Sequence, residues 1–302
     1  MRTILCEPPL QKWSWIDVES LEDHAIEKLG EEFDIHHVYI QDLLQPEHLP
    51  KAEAMDVPEG TFIIARFYDP ANNEVNNIHE MTRKLVLVHR PHNLLLTIHR
   101  GHWTPIDTVK AKYGGHKNQN DFLVLCKLIK EVFRSYEPLA LKLSEDLDYY
   151  EGRLFLKQRD IPIAKGFYQL KRKIAIAKKV LTLSKSIIEY LRDQDTENAI
   201  VEDVNDMFVR IETSFDEVND RFNNLINLNL NFAAQRNNDV IRVLTLFSVF
   251  FLPVTFIVGV YGMNFEFMPE ITHPKGYIGV WVLMISISLG IYLWFKRKGW
   301  LG

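Results

Sequence analysis

Two long runs without a charge dominate the hydrophobic pattern near the end of the chain. They are the 23 residues between Arg242 and Glu266 and the 20 between Lys275 and Lys296. An apolar helix of about 20 residues spans the roughly 30 Å hydrocarbon core of a bilayer, so both are transmembrane candidates. Buried helices of a soluble core rarely run this long uncharged. Ahead of the first run, Val204, Phe208, Ile211, Phe215, Val218, Phe222 and Leu225 recur at spacings of four and three, a heptad stripe. No Gly or Pro occurs between Gly166 and Pro253, so one helix is predicted from about residue 198 directly into the first run. At 1.5 Å per residue, about 60 residues make roughly 90 Å of helix. Such a helix outruns the cover its own chain could supply, and packing against neighbouring subunits is expected.

The first 120 residues carry a different pattern. "TFIIARFYD" (Thr61–Asp69) predicts a strand; "KLVLVH" (Lys84–His89) and "NLLLTIH" (Asn93–His99), split by Arg90-Pro91-His92, predict a hairpin of two buried strands. Short helices are expected near Val18–Leu29 and Tyr39–Leu44. From Asp121 to about Asp195 the pattern is helical and broken near "RDIPIAKG". An acidic arm (Glu145, Asp146, Asp148, Glu151) and a basic one (Lys165, Lys171, Arg172, Lys173, Lys178, Lys179) are expected to lie antiparallel with complementary charge. The predicted organisation is an α/β domain (1–120), a helical hairpin (121–197) and a stalk helix continuing into a first span (198–261, membrane part about 243–261). A loop (262–276), a second span (277–295) and a basic tail (296–302) complete it. The fold class is an α+β membrane protein.

Charge sets the topology. The second run ends "LWFKRKGW", an aromatic and basic belt that marks a cytoplasmic interface, and Arg236 and Arg242 precede the first. The loop holds Glu266 and Glu270 against Lys275. Positive-inside counting therefore places both termini in the cytoplasm and the loop outside, in a plasma membrane (the inner one of a Gram-negative cell). The opening "MRTILCEPPLQKW" lacks an apolar run long enough for a signal peptide. Cys6 and Cys126 alone make no disulfide framework. A formal net charge of −5 argues against a nucleic-acid partner.

Few residues carry candidate chemistry. His89, His92, His99 and His102 crowd the hairpin; a zinc site is one reading, polar positions at strand ends and turns the plainer one. No nucleophile–base constellation stands out, so enzymatic chemistry is unsupported, and no organic cofactor is implied. On the first span, Asn238, Ile241, Leu244 or Thr245, Ser248, Leu252, Thr255 and Gly259 share one face. Small and polar side chains there suit a helix interface or a lumen. Two spans cannot enclose a channel, so a pore would need several copies, each contributing one helix.

The stretch "VLTLFSVFFLPVTFIVGVYGMNFEFMPE" (Val243–Glu270) resembles the CorA family of divalent-cation channels, whose signature is Gly-Met-Asn after the first of two C-terminal spans. "YIQDLLQPEHLPKAEAMD" (Tyr39–Asp56) is similar to the family's N-terminal domain, less specifically. The resemblance implies a homopentameric funnel in membrane lipid that carries Mg²⁺, with Co²⁺ and Ni²⁺ as secondary ions. Gly262, Met263 and Asn264 would form the outer mouth, and Asn238, Leu244, Leu252, Thr255 and Gly259 match pore-lining positions. Mg²⁺ dehydrates reluctantly, so a ring of Asn264 amide oxygens suits its hydrated form. Gly262 is expected to turn the chain through a positive φ. Glu266 and Glu270 would concentrate cations at the mouth. Leu244 and Leu252 would constrict the pore and close it by dewetting.

The resemblance also implies closure by cytosolic Mg²⁺ bridging carboxylates between subunits. The position matching one such carboxylate is Asn227, within a run rich in asparagine, which leaves Asp203, Asp206, Asp216 and Asp220 as alternatives on the same helix. Two other readings stand beside Mg²⁺ influx. One is a zinc transporter of the ZntB type, which typically has Ile where Met263 stands. The other is a two-span coiled-coil scaffold, which leaves the polar stripe unexplained.

Overall fold

The computed structural model describes residues 2–6, 13–19, 23–56, 58–71, 77–113, 120–156, 163–194, 199–264, 268–269 and 273–299. The chain divides into two compact units, Met1–Leu225 and Ile226–Gly302.

The first unit is built on a six-stranded sheet: β1 (Arg2–Cys6), β2 (Ser14–Glu19), β3 (Lys51–Met55), β4 (Gly60–Tyr68), β5 (Thr82–Arg90) and β6 (Leu94–His99). The spatial order is β1-β2-β6-β5-β4-β3; β2 and β6 run parallel, and every other pair is antiparallel. Helices cover both faces, which is why β4, β5 and β6 are nearly continuous apolar runs rather than alternating ones. On one face Ile16, Phe62, Ile64, Val86, Val88 and Ile98 pack against α1 (Asp23–Glu32) and α2 (His37–Leu44). The short α3 (Ile78–Met81) and α4 (Thr104–Tyr113) flank the hairpin. α5 (Asp121–Arg134) touches β4 and β6, and α7 (Ile163–Gln194) touches β3 and β4.

The expected strands at 61–69, 84–89 and 93–99 are present, the last two as an antiparallel hairpin. The helix expected near Val18 starts only at Asp23, because Val18 lies in β2 and pairs in register with Ile98.

α6 (Glu137–Phe155) and α8 (Ala199–Tyr261, 63 residues) complete the helical layer. All seven residues of the predicted heptad stripe are buried. Their cover differs from the expectation, since helices of the same chain supply it. Phe208 meets Phe133 of α5 edge-on at 5.0 Å, Phe215 meets Tyr136 at 6.3 Å, and Phe222 meets Phe167 of α7 at 6.1 Å. The charged arms also differ from expectation: the described ion pairs run from each arm to α8. Asp148 of α6 takes Arg221, while Lys178 and Lys185 of α7 take Asp216 and Glu212 at 2.7 and 2.8 Å.

The second unit holds the continuation of α8 past Leu225 and α9 (Gly276–Arg297). Each is long and apolar enough to cross a membrane. α9 ends in a left-handed glycine cap: Gly299 has φ +71°, and Lys298 N–H donates to Trp294 O at 3.0 Å.

Candidate ion-conduction site

Within the second unit α8 has two distinct faces. Leu246, Val249, Phe250, Pro253, Val254, Ile257 and Tyr261 are half-buried, and Phe250 lies 5.9 Å from Phe295 of α9. These positions recur every three to four residues and form the face that α9 covers. Asn238, Ile241, Leu244, Ser248, Leu252, Thr255 and Gly259 are all exposed, Leu252 to 68%. At about 100° per residue, the centres of the two stripes lie about 160° apart around the helix. The small and polar positions are thus uncovered because they point away from the helix that could cover them.

The exposed stripe is chemically quiet. Ser248 donates its hydroxyl to Leu244 O at 3.0 Å, so its oxygen is left to accept. Pro253 sits inside the helix, where it removes one N–H donor one residue beyond Leu252. No charged side chain stands between Val243 and Asn264.

The helix ends at Tyr261. Gly262 N–H reaches Val258 O at 2.9 Å and Met263 N–H reaches Val260 O at 3.3 Å, a turn that stops the ladder. Gly262 does not use the left-handed region as expected; positive φ among the described glycines occurs at Gly101 and Gly299. A Cβ at Gly262 would sit 3.1 Å from Val258 O, a tight approach that glycine avoids. Met263 and Asn264 follow, both exposed. Glu266 and Glu270 lie outside the described residues.

The candidate regulatory positions separate. Asp203 receives Lys127 at 3.2 Å and a closer contact from Lys130, whose hydrogen bond holds its carboxyl below the ordinary range. Asp216 is bridged to Lys178. Asp206, Asp220 and Asn227 are exposed on α8. Among the described residues of one chain, no three His, Cys, Asp or Glu side chains converge as a metal site.

The hairpin histidines do not meet one another. His99 faces Asp17 at 3.2 Å, His89 faces Asp121 at 3.1 Å, and His102 faces Asp107 at 3.2 Å. The register sets Leu85 opposite His99, four residues from His89, or about 13 Å along the strand. His92 is turned outward and gives its backbone N–H to Asp121 at 2.6 Å. The buried carboxylates Asp17 and Asp121 escaped the sequence reading; Asp17 interrupts an otherwise apolar strand, which was the available signal.

With that geometry in place, comparison with known proteins is decisive. The model of the family described as CorA-like Mg2+ transporter protein matches residues 11–297. The chain belongs to that family. The CorA likeness extends to individual proteins. The cobalt/magnesium transport protein CorA of Thermotoga maritima is 27% identical over 302 residues, 95% of this chain and 83% of the relative. The CorA protein of the same name from Methanocaldococcus jannaschii is 23% identical, covering 95% and 91%. The magnesium transport protein CorA of Salmonella typhimurium is 39% identical over a shorter 102 residues, 34% and 31% of the two chains. Among solved structures, the complete CorA magnesium transporter from Methanocaldococcus jannaschii superposes with a TM-score of 0.77 over 96% of this chain and 92% of that one, at 22% identity. The cytoplasmic domain of ZntB from Vibrio parahaemolyticus is a weaker match, with a TM-score of 0.53 over 76% and 89% at 14% identity. At these identities the structural likenesses speak for the fold alone.

Proposed function

We propose that this CorA-family chain forms a homopentameric channel for Mg²⁺ influx. The observation that carries the reading is the uncovered stripe on α8, running from Asn238 to Gly259 on the face turned from α9 and ending in Gly262-Met263-Asn264. Five such stripes facing one axis make a lumen that none of the chains could enclose alone. The lumen is neutral and small, with Asn238, Ser248, Thr255 and Asn264 offering oxygen acceptors to the water shell of a hydrated ion. Leu244 and Leu252 are the constrictions, wide enough only when wetted. α9 forms the outer ring facing lipid, and both termini lie in the cytoplasm.

No ATP-binding loop of the GxxxxGK[ST] type is present in the sequence. The ion gradient and the membrane potential drive the flux; a divalent cation crossing 100 mV gains about 4.6 kcal/mol. Glu266 and Glu270 raise the cation concentration at the mouth, and Co²⁺ and Ni²⁺ are secondary substrates. Cytosolic Mg²⁺ stabilises the closed form through exposed α8 positions, weakly, because Asn227 is neutral and Asp203 and Asp216 already hold lysines. The test is rescue of a magnesium-auxotrophic strain by the wild-type chain and by Asn264→Ala. Rescue by the first and not the second is expected; no rescue by the wild type, or full rescue by the variant, would remove the reading.

A further inference from the structure

A cavity of about 170 Å³ opens where α1 and α2 meet one end of the sheet. Its floor is apolar, made by Ile26, Leu43, Val86 and Ile98. Its polar lining is mostly basic, and among the described residues no Asp or Glu belongs to it. Arg66 and Lys84 are direct cross-strand partners on β4 and β5, and Arg100 follows immediately beyond the end of β6, so three cations stand in a row across neighbouring strands. Like charges directly opposite on a sheet are destabilising.

Two of these cations are buried or half-buried and make their described hydrogen bonds to neutral acceptors, with Glu47 and Asp42 attracting them only through space. Arg66 is 1% exposed, and its guanidinium donates to Pro46 O and His48 O at 2.9 Å each, to Thr82 Oγ1 at 2.7 Å and to Thr82 O at 3.2 Å. Lys84 Nζ donates to the carbonyls of Asp42, Leu43 and Gln45 at 2.9, 2.5 and 2.7 Å. Every one of these acceptors is neutral. The nearby carboxylates are engaged elsewhere: Asp42 by Lys51 and His48, Glu47 by His79, and Asp69 by Arg83. Hydrogen bonds satisfy the donors, and the attraction of Glu47 and Asp42, each shared with another cation, compensates the charge only in part; a buried charge is costly unless paired. Burial accordingly pushes the Lys84 ammonium down to about 7, with repulsion from Arg66 and Arg100 adding to it.

We infer that this cavity binds a small phosphate-bearing anion, whose negative charge complements Arg66, Arg83, Lys84 and Arg100 in the lining. Arg83 and Arg100 stand at the mouth, and the guanidinium fork matches phosphate oxygens. Arg83 gives Nε–H to Asp69, and a guanidinium carries four further N–H groups. The apolar floor favours a phosphomonoester whose carbon portion rests on Val86 and Ile98, over inorganic phosphate alone. The site lies in the first unit, and its occupancy is a binding property that stands whether or not the second unit conducts Mg²⁺.

The test uses the full-length protein in detergent with chelator present, so that Mg²⁺–phosphate complexes do not interfere. Thermal unfolding and phosphorus NMR line width are followed against inorganic phosphate, adenosine monophosphate and chloride at matched ionic strength. A saturable rise in Tm with the first two but not with chloride, and broadening of the phosphorus lines of the first two, are expected. Half-saturation at about tenfold lower concentration for the monophosphate assigns a phosphomonoester; equal values assign inorganic phosphate. Arg83→Gln/Arg100→Gln gives up surface pairing such as Arg83–Asp69, so its own unliganded Tm is the baseline, and against it phosphate binding should weaken about tenfold or more, about 1.4 kcal/mol. Lys84→Met should abolish the response, and the rim variant carries the test if that protein fails to fold. Absence of a saturable response, an equal response to chloride, or unchanged binding by the rim variant overturns the inference.

Discussion

At the scale of single residues, His99 is held at both of its ring nitrogens. Its Nδ1 faces Gly101 O at 2.7 Å and its Nε2 faces the Asp17 carboxylate at 3.2 Å. Both partners can only accept, so both ring nitrogens must carry protons and the ring is an imidazolium. Asp17 is buried and also takes Thr97 Oγ1 at 2.6 Å and Lys110 Nζ at 3.0 Å. Burial opposes both charges, yet the mutual hydrogen bond and attraction win: His99 is raised above 6.5 and Asp17 lowered below 3.8. The signs follow from linkage. The contribution of His99 is full below pH 6.5 and is lost as pH rises through its raised folded value; that of Asp17 is full above pH 3.8 and is lost as pH falls through its lowered one. The pair therefore stabilises most between those two values. His99→Gln should cost about 3 kcal/mol inside that window, the low end for a buried pair losing one partner, because Lys110 still neutralises Asp17. Measured as the Tm difference from wild type against pH, the deficit should shrink above neutrality. A deficit that stays constant from acid to alkaline pH would mean that the ring is not charged.

At the scale of elements, the strands and helices that were legible are those with an unmixed environment. β4, β5 and β6 are buried on both faces and read as apolar runs, and the α8 stripe repeats at the helical period. β3, "KAEAM", is an edge strand with only Met55 buried, and it carries no apolar signal. β2 was obscured because Asp17 breaks its pattern for the sake of an ion pair formed some 80 residues away with His99. The partner of a stripe is equally invisible locally: nothing in the spacing of Phe208, Phe215 and Phe222 distinguishes a neighbouring subunit from α5 and α7 of the same chain. The stripe proposed to line the pore was legible as a face, but only the position of α9 shows it to be the uncovered one. Close approach between α6 and α7 depends on Gly166, where a Cβ would lie 1.8 Å from the Tyr150 hydroxyl. Gly166→Ala must push that ring aside, at about 1–3 kcal/mol for overpacking. Gly166→Ala/Tyr150→Leu should recover part of the loss, so a double-mutant cycle in Tm will be non-additive. Additive losses would place the cost in the helix backbone instead.

At the scale of the whole molecule, the question is which surface of α8 meets water once copies assemble. Most of the long apolar side chains exposed in one chain, such as Phe247, Phe251 and Phe256, suit lipid or a neighbouring subunit. Ser248, Thr255 and Gly259 suit neither especially well, and a stripe of them interrupted by Leu244 and Leu252 describes a lumen that is narrow and intermittently wet. Reactivity of introduced thiols separates these surroundings, because the thiolate that reacts forms in water and not in hydrocarbon or a packed interface. In a background with Cys6 and Cys126 replaced by alanine, Ser248→Cys and Thr255→Cys should react with a membrane-impermeant cationic thiol reagent and lose Mg²⁺ flux on reaction. Val254→Cys and Ile257→Cys, on the half-buried face toward α9, should stay unmodified under the same conditions. Phe247→Cys should also resist, although it is as exposed in the single chain as the pore positions, because lipid or a neighbour replaces water there. That fifth position makes the test one of assembly rather than of exposure. If all five thiols react alike, the helix is solvated on every side and no closed ring of α8 helices exists. If Val254→Cys and Ile257→Cys react while Ser248→Cys does not, the lumen lies on the α9 side and the pore assignment is reversed.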